Sequence, residues 1–413
     1  MEETMKDYVT ESSHKLSIAY EPDVLIAGGG IAGVAAALAA ARNGATVLLA
    51  EKQCMVGGLA TSGLVAEYLP LCDGMGHQVC FGIAEELLRL SLESGAKQPI
   101  PTVWLQDVLG EGRKKMRYRV QFNPHHFALL LEQRLLRKKV QILYDTRICA
   151  ASCRNQRVEY LVAENRSGRF AIKAKTYVDA TGDALLYELA GLPVRTFSKG
   201  NILAGWYYSF DGKKVDLRPL GFAEVFDGSK QENVRPLADR RFSGTNGEDI
   251  TDFLLLSHQA ILDDIRKRKE SGENPDLELT TIAGMPQLRM IRCIEGEYCL
   301  KETENEVCFP DSIGMTGDWR KSGMRYEIPY RTLYNSALRN AICAGRCISV
   351  DDGMWDISRV IPPCAVTGEA AGTAAALAED FHTLSYDKLA ERLEAQGQKL
   401  KISQVSTDSA RLS

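Results

Sequence analysis

Near the start of the chain, Gly28-Gly29-Gly30-Ile31-Ala32-Gly33 puts glycines at all three positions of G-x-G-x-x-G. In such a turn the first glycine permits the tight bend, the second lets backbone approach a pyrophosphate, and the third lets a helix pack closely on a strand. A helix opening inside the turn aims free N–H groups and the positive end of its dipole at an anion. Glu51 follows at about the 20-residue spacing where a carboxylate ending the next strand accepts hydrogen bonds from ribose hydroxyls. The turn and the carboxylate together point to a dinucleotide, and to one without a 2′-phosphate. The plainer reading of Glu51, an exposed strand-end acid, leaves the spacing unexplained.

That chemistry needs a strand, a turn, a helix and a second strand in this order. Asp23–Ala27 is a short apolar β-rich run, Ile31–Arg42 an alanine-rich helical stretch, Asn43-Gly44 a stop, and Thr46–Ala50 a second apolar run. Continuous apolar strands suit a parallel sheet covered on both faces. Further helices are predicted over Phe81–Leu92 and over Phe127–Arg137, the latter started by an Asn123 cap and Pro124. Val140–Tyr144 reads as a third strand, and Ile148–Ala174 as an antiparallel excursion that turns at Arg166-Ser167-Gly168. Lys175–Ala180 returns to the main sheet. A less regular stretch with one helix near Asp249–Lys269 follows. Arg339–Val350 is again an apolar strand, Cys364–Asp380 a helix rising from Pro362-Pro363, and Tyr386–Ala395 an amphipathic helix. The predicted organisation is a flexible start (1–20), a nucleotide domain in two parts (21–191 and 333–396), an inserted substrate domain (192–332) and a tail (397–413).

With 45% hydrophobic and 25% charged residues in 413, the chain can bury a sizeable core and is no disordered or fibrous protein. A net charge of −4 gives no footprint for nucleic acid, so none is expected as a partner. No run is apolar enough to span a membrane, and the polar first twenty residues do not read as a secretory signal, so a cytoplasmic location is expected. Eleven scattered cysteines without a C-x-x-C pair read as buried thiols rather than a redox centre or metal site.

Gly57-Gly58-Leu59-Ala60-Thr61-Ser62-Gly63, only a few residues after Glu51, resembles the G-G segment that runs beside the flavin in glutathione-reductase-like FAD proteins. Val178-Asp-Ala-Thr-Gly-Asp183 resembles their A-T-G turn. Ala344-Gly-Arg-Cys-Ile-Ser349, Arg359-Val-Ile-Pro-Pro363 and the helix from Thr367 to Ala376 resemble the C-terminal flavin-binding region of the family known as FAD-dependent oxidoreductases. Phe309–Gly314 and Tyr326–Arg331 resemble its substrate region. The likeness implies an α/β fold, a Rossmann-type FAD-binding domain carrying an inserted mixed α+β substrate domain, and FAD as cofactor. It implies cofactor contacts at Gly28, Gly30, Ile31, Ala32, Gly33, Glu51, Lys52, Gly57, Gly58, Leu59, Thr61, Ile148, Ala180, Thr181, Gly182, Gly345, Arg346, Pro363 and Gly368. It also implies that the last helix points its N-terminus at the pyrimidine side of the flavin ring. Arg346 departs from the aspartate that many related flavoproteins use on the ribitol.

For catalysis, flavin carries the hydride and the protein positions a substrate and manages one proton. Candidates are His77 as acid or base, Arg292, Arg331 and Arg359 as anion holders, and Tyr326 as a hydroxyl donor. Arg289, Arg325, Arg346 and Tyr330 belong to the same wider set, which suits a small polar or anionic substrate. Each taken singly also reads as a core histidine or a structural ion pair. His125-His126 reads as surface or capping. No second G-x-G-x-x-G unit follows, so in place of NAD(P)H the expected electron partner is one bound differently or a redox protein. Rival readings are a tRNA-modifying flavoprotein and a non-catalytic flavin-binding protein.

Overall fold

The computed structural model describes residues 9, 11, 13, 15–95, 102–105, 111–221, 237–272 and 275–406. The elements that position the site are β1 (Val24–Ala27), α1 (Ile31–Arg42), β2 (Val47–Ala50), α2 (Ile83–Glu93), α3 (Pro124–Arg137), β3 (Gln141–Leu143), β4 (Thr176–Asp179), α4 (Gly247–Glu270), β5 (Ala341–Cys343) and α5 (Ile361–Leu377). The five strands make one parallel sheet in the order β5-β4-β1-β2-β3. β1, β2, β4 and β5 are buried along their whole length, as apolar strands covered on both faces should be. Strand order reverses at β1, which lies between β4 and β2. In open α/β sheets the crevice beyond the carboxyl ends at such a reversal is the ligand site. Ala27, Ala50, Asp179 and Cys343 are in register across the sheet, so the loops that follow all leave from one edge.

α1 is buried from Ile31 through Ala40 and α5 from Pro362 through Ala375, because each faces the other as well as the sheet. Their alanine and glycine content has a geometric cause. A Cβ on Gly368 would lie 2.3 Å from the Ala32 carbonyl oxygen, and one on Gly372 would lie 2.0 Å from that of Ala36. The two helices therefore meet backbone to backbone.

Several boundaries differ from expectation, two of them at the site. α5 starts at Ile361, so Pro362 and Pro363 sit inside its first turn, where missing N–H groups break no helical bond. The run Arg339–Val350 is strand only over Ala341–Cys343, then turns at Gly345 in a left-handed conformation (φ +79°). The Asn123 cap forms as read: its side chain accepts from the backbone N–H of His125 and His126, both 3.1 Å, and Pro124 opens α3. Both histidines are exposed.

The excursion after β3 is three antiparallel strands, Arg147–Arg154, Arg157–Asn165 and Gly168–Ile172. Ile18–Tyr20 adds a parallel edge strand to it, so the flexible start expected through Tyr20 ends earlier; residues 1–8, 10, 12 and 14 lie outside the described ones. The expected 192–332 block divides in two. Leu203, Phe242, Phe253, Leu288 and Ile291 form a small core of their own, with α4 and a sheet of Tyr207–Phe210, Val215–Arg218 and Glu278–Ile282. Arg292–Ile294 and the hairpin of Ser312–Gly317 with Arg325–Pro329 join the main core instead. Residues 222–236, within that block, lie outside the described ones.

The tail expected from 397 is packed down as far as Ser406, with Ile402 and Val405 buried; 407–413 lie outside the described residues. Its Gln398 donates to Glu369 of α5 (2.6 Å), which also accepts from the Ile83 N–H at the start of α2 (2.8 Å). Glu369 is fully buried, its second oxygen has no partner, and burial pushes its carboxyl up to about 7. The folded chain thus holds this proton more tightly than the unfolded chain does. Stability from this group is complete below the ordinary carboxylate range and is lost as pH rises through about 7. Glu369→Gln is therefore expected to match the parent at pH 5 and to exceed it at pH 8.5 by about 2–3 kcal/mol in urea unfolding. An unchanged gap between the two pH values would refute the assignment.

Candidate cofactor and active site

Gly28 turns the chain out of β1 at φ +98°, and a Cβ there would lie 2.6 Å from the Ala180 carbonyl oxygen of the turn after β4. A Cβ on Gly33 would lie 1.9 Å from the Gly28 carbonyl oxygen, so the third glycine is required by the close approach of α1. Gly30 is different. It has φ −64° and ψ −179°, open to any residue, and a Cβ there would meet nothing within 4 Å. The space beside it adjoins the first turn of α1, which has no side-chain cap. Its first N–H groups, those of Ile31, Ala32 and Gly33, are what an anion binds.

Glu51 directly follows β2 and is 6% exposed, and its position is fixed by two backbone donors: Gly29 N–H at 2.6 Å and Gln53 N–H at 2.8 Å. Lys52 beside it is exposed. The second glycine run lies against the first, since Gly57 N–H donates to the Gly29 carbonyl (2.7 Å) and a Cβ on Gly58 would be 3.1 Å from Gly30 Cα. Leu59 is half-buried within that run. Thr61 is fully buried and donates to the Val56 carbonyl (2.6 Å), so its hydroxyl shapes the loop. Its neighbour Ser62 has a buried hydroxyl without a partner. Ser62 was missed at the sequence level, although it stands in the same glycine-rich run. Ile148 follows Thr146, whose N–H donates to the Glu51 carbonyl (3.0 Å), so that strand starts beside the end of β2.

At the end of β4, buried Asp179 accepts from Thr181 N–H (3.1 Å), Thr181 Oγ1 (2.6 Å) and Leu186 N–H (2.8 Å), and burial pushes its carboxyl up to about 6. Thr181 is thereby held through both of its donors. A Cβ on Gly182 would lie 2.4 Å from the Arg346 guanidinium, and one on Gly345 would lie 2.7 Å from Ala32 Cβ, so turns after β4 and β5 close on α1. Arg346 Nη1 donates to the carbonyls of Leu288 (2.8 Å) and Arg289 (3.0 Å). Asp183 has a buried carboxylate oxygen without a partner. Leu64, just past the second glycine run, and Ala184, just past the turn after β4, are non-glycine residues at φ +56° and +53°, where strain is commonly stored at ligand sites.

At α5, Val360 caps without a side-chain bond, and Pro362 and Pro363 carry no N–H. Ile361 supplies the one free amide of that first turn, with Pro363 buried behind it and Gly368 against α1. Arg359 immediately precedes it.

A model of the FAD dependent oxidoreductase family matches residues 23–205 and 242–393. The chain belongs to this family. FAD is the cofactor of the enzyme, and the crevice suits it: open space beside Gly30, an uncapped helix start, and orphaned polar atoms on Ser62 and Asp183. No curated protein matches this sequence. Among solved structures, p-nitrophenol 4-monooxygenase from Pseudomonas putida DLL-E4 is similar at 13% identity over 95% of this chain and 93% of its own, with a TM-score of 0.49. A geranylgeranyl bacteriochlorophyll reductase-like protein from Thermoplasma acidophilum is similar at 14% identity, 91% and 83% coverage, and a TM-score of 0.43. L-proline dehydrogenase from P.horikoshii is similar at 13% identity, 86% and 93% coverage, and a TM-score of 0.44.

In this FAD dependent oxidoreductase each of the expected catalytic residues has protein partners of its own. His77 Nδ1 meets buried Asp73 at 2.8 Å, in a loop whose Asp73 carbonyl accepts from Gly323 N–H of the 317–323 hairpin tip. Arg292 pairs with Glu188, Tyr326 is fully buried and donates to the Glu302 carbonyl (3.0 Å), and half-exposed Arg331 is bound through Nε and Nη2 to Asp311. Burial also pushes the Tyr326 phenol up to about 12. These three are engaged structurally. Arg359 is tied to Asp356 (Nε at 2.8 Å) and lies over the Trp319 ring. In the insert, Trp206, Phe253, Ser257, His258, Met285 and Gln287 line a small surface pocket with room for about one water. Gln287 reaches from it to the Gly63 carbonyl (2.5 Å).

Proposed function

We propose that this oxidoreductase transfers a hydride between a small polar or anionic organic substrate and its flavin, with a second electron partner other than NAD(P)H completing the cycle. The observation that carries the reading is the convergence of the loops after β1, β2, β4 and β5 on one open crevice at the sheet edge. FAD, when bound, supplies the two-electron chemistry. The α1 amides and Gly30 would take its pyrophosphate, Glu51 a ribose, and the runs around Gly58, Gly182 and Gly345 the rest of its length. The α5 start with Arg359 would favour negative charge on the ring. Asp73 holds the His77 imidazole through Nδ1, which leaves Nε2 to give or accept a proton. Of the expected catalytic set we retain His77 and Arg359, and we assign substrate contact to the insert, whose Gln287 and Gly284 bond to the glycine-rich run beside the crevice. We place the reaction in the cytoplasm, in keeping with eleven cysteines that are all free.

The test is the absorbance spectrum of the purified protein, followed by anaerobic bleaching with hydroxy acids, amines, sugars and enoates. Oxidised flavin bands that one of these bleaches are expected. Glu51→Gln should weaken FAD binding by about 10-fold or more, as loss of a charged hydrogen-bond acceptor does. Protein that refuses FAD on reconstitution would end the proposal.

A further inference from the structure

Arg289 is 7% exposed, its Nη1 has no hydrogen-bond partner, and among the described residues no carboxylate forms an ion pair with it. Its guanidinium lies 5.3 Å from the centre of the Trp206 ring, a residue that also lines the pocket of the insert. Arg346 donates to its backbone carbonyl. Burial first, then the nearby charges of Arg359 and Arg346, pulls Arg289 down to about 9, which still leaves it cationic at neutral pH. Asp356 acts in the opposite direction but is already bound by Arg359 and Arg320. A buried cation without a counterion is costly, and removing that cost takes an anion from outside the chain. The segment that carries it is laced to the glycine-rich run beside the cofactor crevice, since Gly284 N–H donates to the Ser62 carbonyl (2.8 Å) and Gln287 to that of Gly63.

We propose that Arg289 is the binding residue for a carboxylate of the substrate, with Arg346 and Arg359 supplying the surrounding positive field. This rests on the oxidoreductase reading above and narrows its substrate to organic carboxylates. The edge of one planar guanidinium matches the two oxygens of a carboxylate, whereas a phosphate dianion calls for donors on three. The flavin's own phosphates are the rival source of the anion.

The experiment uses FAD-loaded protein titrated with pyruvate, succinate, benzoate and inorganic phosphate at constant ionic strength, read by flavin difference spectra. Arg289→Met removes the charge while keeping an apolar stem on Trp206. At least one carboxylate is expected to perturb the parent spectrum, with its dissociation constant raised 10-fold or more in Arg289→Met, while FAD affinity stays within about 2-fold. Ligand-free Arg289→Met should melt no lower than the parent, because it buries no unpaired charge. Carboxylate binding that survives in Arg289→Met, phosphate as the one ligand bound, no ligand bound at all, or a variant that loses FAD or melts lower would each overturn the assignment. Failure of the parent itself to hold FAD would instead strike at the oxidoreductase reading.

Discussion

Gly30→Val is expected to give folded, colourless protein. The backbone at Gly30 is extended, a conformation valine favours, and its Cβ direction is empty of protein, so the new side chain strains nothing in the chain itself. It would fill the space beside the α1 amides, which an incoming pyrophosphate needs. Affinity for FAD should fall at least about 1000-fold, equivalent to roughly 4 kcal/mol. The check is the ratio of flavin to protein absorbance after reconstitution, together with the melting temperature of cofactor-stripped protein, which should match that of the stripped parent. A yellow Gly30→Val protein would remove the cofactor from the crevice assigned to it.

Gly372→Val should fail in the opposite manner, by unfolding. Its Cβ would lie 2.0 Å from the Ala36 carbonyl oxygen, 2.6 Å from its carbon and 2.7 Å from Cα, all backbone of a fully buried helix that has no flexible side chain to move aside. Such overpacking costs about 3 kcal/mol or more, a large share of the roughly 5–15 kcal/mol of a typical domain. Urea unfolding should show the loss with and without FAD. A variant as stable as the parent would mean that α1 and α5 do not meet backbone to backbone at this crossing.

The nucleotide unit was readable because its signals are local and obey fixed periods. The apolar run at Val24–Ala27, the glycine turn, the alanine-rich α1 and the Asn123-Pro124 cap each act within a few residues, and each forms the element read from it. Boundaries went astray where tertiary contacts decide them. Gly345 ends β5 after three residues because its turn must reach α1, and nothing in the apolar run through Val350 announces that. Ile18–Tyr20 became a strand only because Gly168–Ile172 offers it an edge. The site divides in the same way. Glu51 and the glycines follow spacing rules, whereas the engagement of Tyr326, Arg331 and Arg292 with partners up to about a hundred residues away has no sequence signature. Thr61 donates to a carbonyl and Arg292 pairs with a carboxylate, whereas the Ser62 hydroxyl and Arg289 Nη1 have no hydrogen-bond partner, a difference that emerges when the chain is folded.

The α1–α5 crossing also bears on how the molecule is made. α1 is synthesised well before the helix that covers it and the edge strand β5, which lie far downstream in the chain. Until then a helix with no polar face has no native cover, so the nascent chain carries an apolar liability until α5 has been made. Closure over so long a loop is a long-range contact of the kind that slows folding.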